Sequence, residues 1–247
     1  MTDLRVASFN IRNGRALDGL VRAWPFRRRA VVEAVESLDA DVVALQEVYR
    51  FQLRALLRGL PGRVAVGEGR SSRRRGEHVP LLVRGERVRV VEAATRWYGD
   101  TPEQAGSRWP GAPFPRIATV AVVDVAGSRL QVVGTHLDER SAERRARSAE
   151  QLVGWLDPAL PRVVLGDLNA EPGADEPRPL LAAGLRQALP GDAGGTSHDF
   201  TGRTDGRRLD HVLVSDEVEV VAAEVAHPRP RGRLPSDHWP VVATLRL

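Results

Sequence analysis

The chain has 247 residues and no cysteine, which excludes disulfide scaffolds, thiolate zinc sites and cysteine nucleophiles. It also has no lysine, so all 36 basic residues are arginine and no Walker-type phosphate loop can form. Neither a G-x-S-x-G nucleophile elbow nor an H-E-x-x-H zinc helix occurs. No apolar run approaches membrane-spanning length. No basic segment, apolar stretch and cleavage site precede the first alternating run after Met1, Thr2 and Asp3. These absences predict a soluble cytoplasmic protein without membrane insertion, and a monomer.

Hydrophobic residues make up 42% and charged residues 28% of the chain, close to the averages for globular proteins. The sequence pI of about 10.6 accompanies a formal net charge of only +4. Arginine stays protonated far above neutral pH, so an all-arginine chain gains pI without gaining charge at pH 7. The charge balance therefore does not point to nucleic acid, although an anionic substrate suits it.

Short runs rich in Val, Leu and Ile predict strands at Leu4 to Phe9, Asp41 to Leu45, Pro80 to Val83, Val88 to Val91, Ile117 to Val125, Leu130 to Gly134, Arg162 to Leu165, Leu209 to Val214, Val218 to Val225 and Val241 to Leu247. A helix is predicted over Ser141 to Leu156, with Ala142, Ala146, Ala149, Val153 and Leu156 as its apolar stripe and Glu143 able to pair with Arg147. A second spans Phe26 to Leu38 after Trp24 and Pro25, burying Val31, Val35 and Leu38, and a third follows Glu47. Segments rich in Gly, Pro, Ser and Arg at Gly67 to Gly76, Gly99 to Pro115, Glu171 to Pro179 and Gly191 to Gly206 read as surface loops. No linker interrupts the pattern, so one α/β domain over 1–247 is expected.

Polar residues fall at the ends of the apolar runs: Asn10, Glu47, His136, then Asp167 and Asn169. Sites in open α/β sheets gather at strand carboxyl ends, so these endings could converge on one rim. Taken singly, Asn and Asp there are ordinary turn residues. Asp167 and Asn169 are two apart, and in an extended segment both side chains would face the same way. Asp210-His211 and Asp237-His238 near the C-terminus pair a carboxylate with an imidazole, the residue types of a metal ligand beside an acid/base.

In the order SFNIR, ALQEV, GTHLD, GDLNAEP, RLDHVLVS and PSDHWPVVATL, these segments resemble the endonuclease/exonuclease/phosphatase superfamily from about residue 4 to residue 247. AWPFRRRAVVEAV, PRIAT and GTSHDFTG are similar to a bacterial branch of phosphoesterases of unsettled substrate. The resemblance implies a DNase I-like four-layer α/β/β/α sandwich of two mixed sheets flanked by helices. It also implies a divalent-metal-dependent hydrolase that cleaves a phosphodiester or phosphomonoester by in-line attack of water. Glu47 and Asp237 would hold the metal, and Asn10 would place the scissile phosphate or a second ion. Such oxygen donors suit Mg2+ or Mn2+. Asp167 would orient or deprotonate the water, Asn169 and His136 would bind the phosphate oxygens as charge grows, and His238 held by Asp210 would complete the acid/base set.

A nuclease acting on DNA or RNA is the alternative within the enzymes. Arg12 stands where DNA-repair members carry an acidic or amide side chain, and Gly76-Glu77-His78-Val79-Pro80 replaces their GYSGVA-type segment. His136 in THL is more like the sphingomyelinase, nucleotide-diesterase and deadenylase side. The alternative of another class is a catalytically silent module binding a phosphorylated ligand or a protein, against which stands the presence of Glu47, Asp167, Asn169, Asp210, Asp237 and His238 together. Arg116 and His198 are further substrate-holding candidates outside this set.

Overall fold

A computed structural model describes residues 2–247; Met1, the first residue of the expected domain, lies outside the described residues. The apolar runs form two six-stranded sheets. In spatial order the first is β13 (Glu219–Val225), β14 (Val241–Arg246), β1 (Asp3–Asn10), β2 (Val42–Gln46), β6 (Leu81–Arg84) and β4 (Arg63–Val66). The second is β11 (Leu185–Gln187), β12 (Asp210–Ser215), β10 (Arg162–Asp167), β9 (Ser128–His136), β8 (Ile117–Val125) and β7 (Arg89–Trp97). β3 (Val48–Tyr49) and β5 (Glu77–His78) pair separately beside the cleft. Both sheets are mixed: β1 runs parallel to β2 and antiparallel to β14, and β10 runs parallel to β9 and antiparallel to β12.

Strand periodicity builds the layers. Val6, Val42, Ala44, Val163, Leu165 and Val212 meet between the sheets. Their neighbours Ala7, Phe9, Val43 and Leu45 face outward onto α1 (Trp24–Ser37) and α2 (Arg50–Gly59). On the other side, Val164 and Leu213 face α3 (Ala142–Val153) and α4 (Arg178–Ala182). Central strands buried on both faces read as continuous apolar runs rather than alternating ones. The result is the four-layer α/β/β/α sandwich that the resemblance implied. Among the described residues, no helix is long and apolar enough to cross a membrane.

All ten predicted strands are present, Ile117–Val125 with the same bounds and the others with shifted ends, and the sequence reading differs from the structure in local places. Helix α1 starts at Trp24 with Pro25 in its first turn, where a missing N–H costs nothing, rather than after them. Helix α3 buries Ser148, Ala149 and Leu152 and leaves Ala142 exposed. Arg147 lies 4.0 Å over the Trp109 ring instead of pairing with Glu143. β3, β4, β5, β11 and α4 were not anticipated. The segment Gly191 to Gly206 is not simply a surface loop, because Thr196 and His198 within it are buried. Gly195 and Gly206 make this packing feasible, since a Cβ on Gly195 would overlap the Gly206 carbonyl.

Register then positions the chemistry. Asp167 at the end of β10 lies opposite His136 of β9 on one side and Asp210 of β12 on the other. Gly166 allows the close approach, because a Cβ there would collide with the Thr135 carbonyl oxygen. Gly166→Ala is expected to cost about 1–3 kcal/mol of stability. Thermal unfolding checks it, and an unchanged midpoint would show that β9 and β10 part without strain.

Candidate active site

The polar residues at the strand ends meet across the junction of the two sheets. Asn10, at the end of β1, donates through Nδ2 to Glu47 Oε1 at 3.1 Å and to Asp167 Oδ2 at 3.0 Å, linking carboxylates from the two halves of the sandwich. Its Oδ1 accepts the Arg12 N–H at 3.0 Å. Glu47 also accepts from the backbone and side chain of Asn13, at 2.8 and 3.1 Å. Burial would push the Glu47 carboxyl up, but the Asn13 and Asn10 hydrogen bonds and the charges of Arg12 and His238 bring it below its ordinary value. Glu47 is thus held ionised.

Asp237 follows Ser236, whose hydroxyl donates to the Asn10 carbonyl at 2.6 Å and lies 3.1 Å from Asp237 Oδ1. Burial, with the charge of Glu47, raises the Asp237 carboxyl above its ordinary value although His238 and Arg12 oppose the shift. Arg12 Nη1 lies 3.5 Å from Asp237 Oδ2 while its other contacts are spent on Asp18. Two carboxylates that repel each other, only partly compensated by one guanidinium at 3.5 Å, suit a divalent cation with oxygen ligands. Glu47 and Asp237 therefore fit the metal role expected of them.

A different group of titratable residues lies close by: ligand atoms of Asp167, Asp210 and His238 are within 4.8 Å of one another. One direct contact is made within it, and Asp210 Oδ1 is buried without a hydrogen-bond partner among the described residues. His238 Nδ1 is 2.7 Å from Asp210 Oδ2, and both residues are buried. Burial alone would lower the His238 pKa, but the charge and hydrogen bond of Asp210, with Asp167 and Asp237 behind it, hold it well above the usual value. Burial and then the charge of Asp210 push Asp167 up to about 7, against His238, the Asn10 amide and the Asn169 N–H. His136 Nε2 lies 3.6 Å from Asp167 Oδ2. Burial, reinforced by the charges of Arg116, Arg70 and His238, keeps His136 well below its usual pKa, so it is neutral near pH 7. One cleft thus holds a cationic imidazole and a neutral one.

Asn169 is placed differently from the sequence reading. It is not extended but sits at φ 51, so the chain turns directly after β10. Its backbone N–H donates back to Asp167 Oδ1 at 2.9 Å, and its Nδ2 to the Leu137 carbonyl at 3.1 Å, leaving one amide hydrogen for a ligand. Glu47 and Arg12 also have positive φ, at 63 and 56. Non-glycine residues in this region cost on the order of 1–3 kcal/mol each and gather at functional sites.

Several supporting residues went unread in the sequence. Arg27 is buried and donates to the carbonyls of Ile11, Arg12 and Pro235, tying the turn after β1 to the turn before Asp237. Burial lowers its pKa to about 10. Gln52 binds the Arg12 carbonyl and accepts from Gly14 and Tyr49. Thr196 Oγ1 accepts from the N–H groups of Leu209 and Asp210, fixing the start of β12. The only sequence signal was a polar residue inside an apolar helix face or loop. Of the two outlying candidates, Arg116 reaches the cleft wall beside His136. His198 packs tilted against Trp239 with ring centroids 4.3 Å apart, accepts the Gly202 N–H at 3.2 Å and falls to a pKa of about 4 through burial.

The two mixed sheets flanked by helices define a DNase I-like fold. The model of the Endonuclease/Exonuclease/phosphatase family matches residues 7–238, and the chain belongs to that family, whose members hydrolyse phosphoester bonds. The chain is similar to an endonuclease/exonuclease/phosphatase from Bacteroides vulgatus at 30% identity, with all of both chains covered and a TM-score of 0.92. It is similar to a mannosyl-6-phosphatase of Bacteroides thetaiotaomicron at 26% identity, covering 99% of this chain and 100% of the other with a TM-score of 0.90. The catalytic domain of human Nocturnin, at 20% identity, 99% and 94% coverage and a TM-score of 0.75, shares the fold. No curated protein gives a significant match.

Proposed function

We propose that this chain is a divalent-metal-dependent phosphoesterase acting through one catalytic domain, with a phosphomonoester as its preferred substrate. The observation that carries the reading is the meeting of two hydrogen-bonded pairs, Asn10 with Asp167 and His238 with Asp210, with ligand atoms of Asp167, Asp210 and His238 within 4.8 Å of one another. Glu47 and Asp237 would hold Mg2+ or Mn2+, which when bound would neutralise phosphate charge and assist the leaving oxygen. Asp167 accepts a proton from the attacking water; a carboxyl pushed up to about 7 is a competent base at neutral pH. His238, kept protonated by Asp210, and neutral His136 bind the non-bridging oxygens, where charge grows in the transition state. Asn169 adds its remaining amide hydrogen there. Asn10 holds Glu47 and Asp167 at their spacing and orders the phosphate side of the cleft.

Similarity to a mannosyl-6-phosphatase supports the monoester preference. The test is turnover of p-nitrophenyl phosphate, bis-p-nitrophenyl phosphate and a single-stranded oligonucleotide with Mg2+, with Mn2+ and with EDTA. Monoester hydrolysis is expected to vanish in EDTA and return with either ion. Full activity in chelator would overturn the metal role, and faster oligonucleotide cleavage would favour the nuclease alternative.

A further inference from the structure

A pocket of about 270 Å3 opens beside Glu47 and His136 and ends on charged side chains that the proposed reaction does not use. Arg70 and Glu77 line it, with Arg70 Nη1 2.6 Å from Glu77 Oε2 and both side chains largely shielded from solvent. The pair is built in: the Arg70 N–H donates to the Glu77 carbonyl at 2.9 Å, and the Arg70 carbonyl accepts the Trp97 indole N–H at 2.7 Å. Arg116 and Glu139 also line the pocket, with Arg116 Nη2 3.5 Å from Glu139 Oε2. The Arg70 guanidinium covers the Phe114 ring at 4.8 Å, and Phe114 is itself exposed at the mouth.

The charges decide what this pocket can take. Away from the metal end, Arg70 and Arg116 supply two positive charges and Glu77 and Glu139 two negative ones, so this part of the lining sums to zero, while an ion held at Glu47 would add its charge only where the phosphate sits. A nucleic-acid strand or a second phosphate needs an uncancelled positive surface, and Glu77 would repel it. A buried ion pair is also a poor way to fill space for stability alone. A hydroxyl, by contrast, donates and accepts at once, and an arginine beside a carboxylate offers both complements. Among the described residues, the Glu77 carboxylate has Arg70 as its ion-pair partner and accepts no other side-chain or backbone hydrogen bond, so it can take a donor. The exposed Phe114 ring offers an apolar face to the C–H side of a sugar-like ring. A volume of about 270 Å3 accommodates a group the size of a single sugar ring.

We propose that this pocket binds the leaving alcohol, and that Arg70, Glu77, Arg116 and Phe114 select a neutral, polyhydroxylated group of monosaccharide size. The proposal rests on the phosphoesterase reading. The larger concavity of about 890 Å3 beyond Tyr49, lined by Arg15, Arg50 and Arg73 to Arg75, is the competing place for a polyanion.

The test uses the full chain with Mg2+ and compares kcat/KM for glucose 6-phosphate and mannose 6-phosphate with that for p-nitrophenyl phosphate, which lacks hydroxyls, and for a single-stranded oligonucleotide. At least one hexose phosphate is expected to be preferred. Glu77→Gln is expected to reduce the ratio of hexose phosphate to p-nitrophenyl phosphate kcat/KM by roughly 10- to 100-fold, the scale of a hydrogen bond to a charged group. Phe114→Ala, at an exposed position where folding is not at stake, should raise KM for the hexose phosphate by about 2- to 10-fold. An unchanged ratio in Glu77→Gln with unchanged KM in Phe114→Ala would overturn the proposal, as would a preference for the oligonucleotide. If no ester is hydrolysed with any metal, the phosphoesterase reading fails by itself. Calorimetric binding then decides the pocket: glucose 6-phosphate or mannose 6-phosphate should bind more tightly than inorganic phosphate and lose that advantage in Phe114→Ala, whereas equal binding of all three ligands would overturn it.

Discussion

His238→Ala and Asp210→Asn are each expected to lower turnover by roughly 10²- to 10⁴-fold, the scale of a positioned acid/base group, and the double variant to be little worse than the poorer single. The two residues lie 28 positions apart in sequence, yet His238 Nδ1 meets Asp210 Oδ2 at 2.7 Å inside the protein. Asp210 acts through the imidazole, fixing its tautomer and sustaining its charge, so once either partner is gone the other has little left to contribute. The measurement is a double-mutant cycle on turnover at saturating substrate and metal. Thermal unfolding must accompany it, because His238→Ala strands a fully buried carboxylate and should destabilise the fold. Additive losses would show that the pair does not act as a unit, and wild-type turnover in His238→Ala would remove this histidine from the reaction.

That such a pair could be suspected from sequence reflects how the fold makes its site. Central strands buried on both faces must be continuous apolar runs, so a polar residue where one stops marks a rim. Asn10, His136 and Asp167 were legible for that reason, and β-pairing then places His136, Asp167 and Asp210 side by side. The turn at Asn169 was not legible, because Asx-type turns depend on local hydrogen bonds that a strand pattern cannot reveal. β3, β5 and β11 have two or three residues each, too few to show any period. Arg27 and Gln52 look like polar surface in a helix pattern and reveal themselves only through the carbonyls they satisfy. Arg70 and Glu77 escaped for a related reason. The Gly-, Ser- and Arg-rich composition of Gly67 to Gly76 predicts an exposed loop, but the backbone turns Arg70 inward onto β5, where Glu77 and Phe114 shield it.

Asp167→Asn is expected to separate activity from stability, with turnover falling by roughly 10²- to 10⁴-fold while the metal-free protein becomes more stable at alkaline pH. Burial and Asp210 raise the folded Asp167 pKa from 3.8 to about 7. A carboxyl raised in this direction binds its proton more tightly folded than unfolded, so its ionisation erodes stability as pH rises from about 4 through about 7, and the full cost is present above that. Asparagine has the same shape without the charge, and it escapes this cost while losing the base. Unfolding midpoints of both proteins in EDTA at pH 5 and pH 8.5 measure the effect: the variant's advantage should appear at the higher pH and shrink at the lower. The same ionisation governs the rate. Wild-type kcat/KM should rise with pH as Asp167 loses its proton, then fall at higher pH as His238 loses its own. Asp210→Asn removes a negative charge that raises both groups, so in its residual activity both limbs should move toward acid. A rising limb that stays in place would show that Asp167 does not set it, and an Asp167→Asn protein no more stable than wild type at pH 8.5 would mean that the buried carboxylate carries no net charge penalty in the fold.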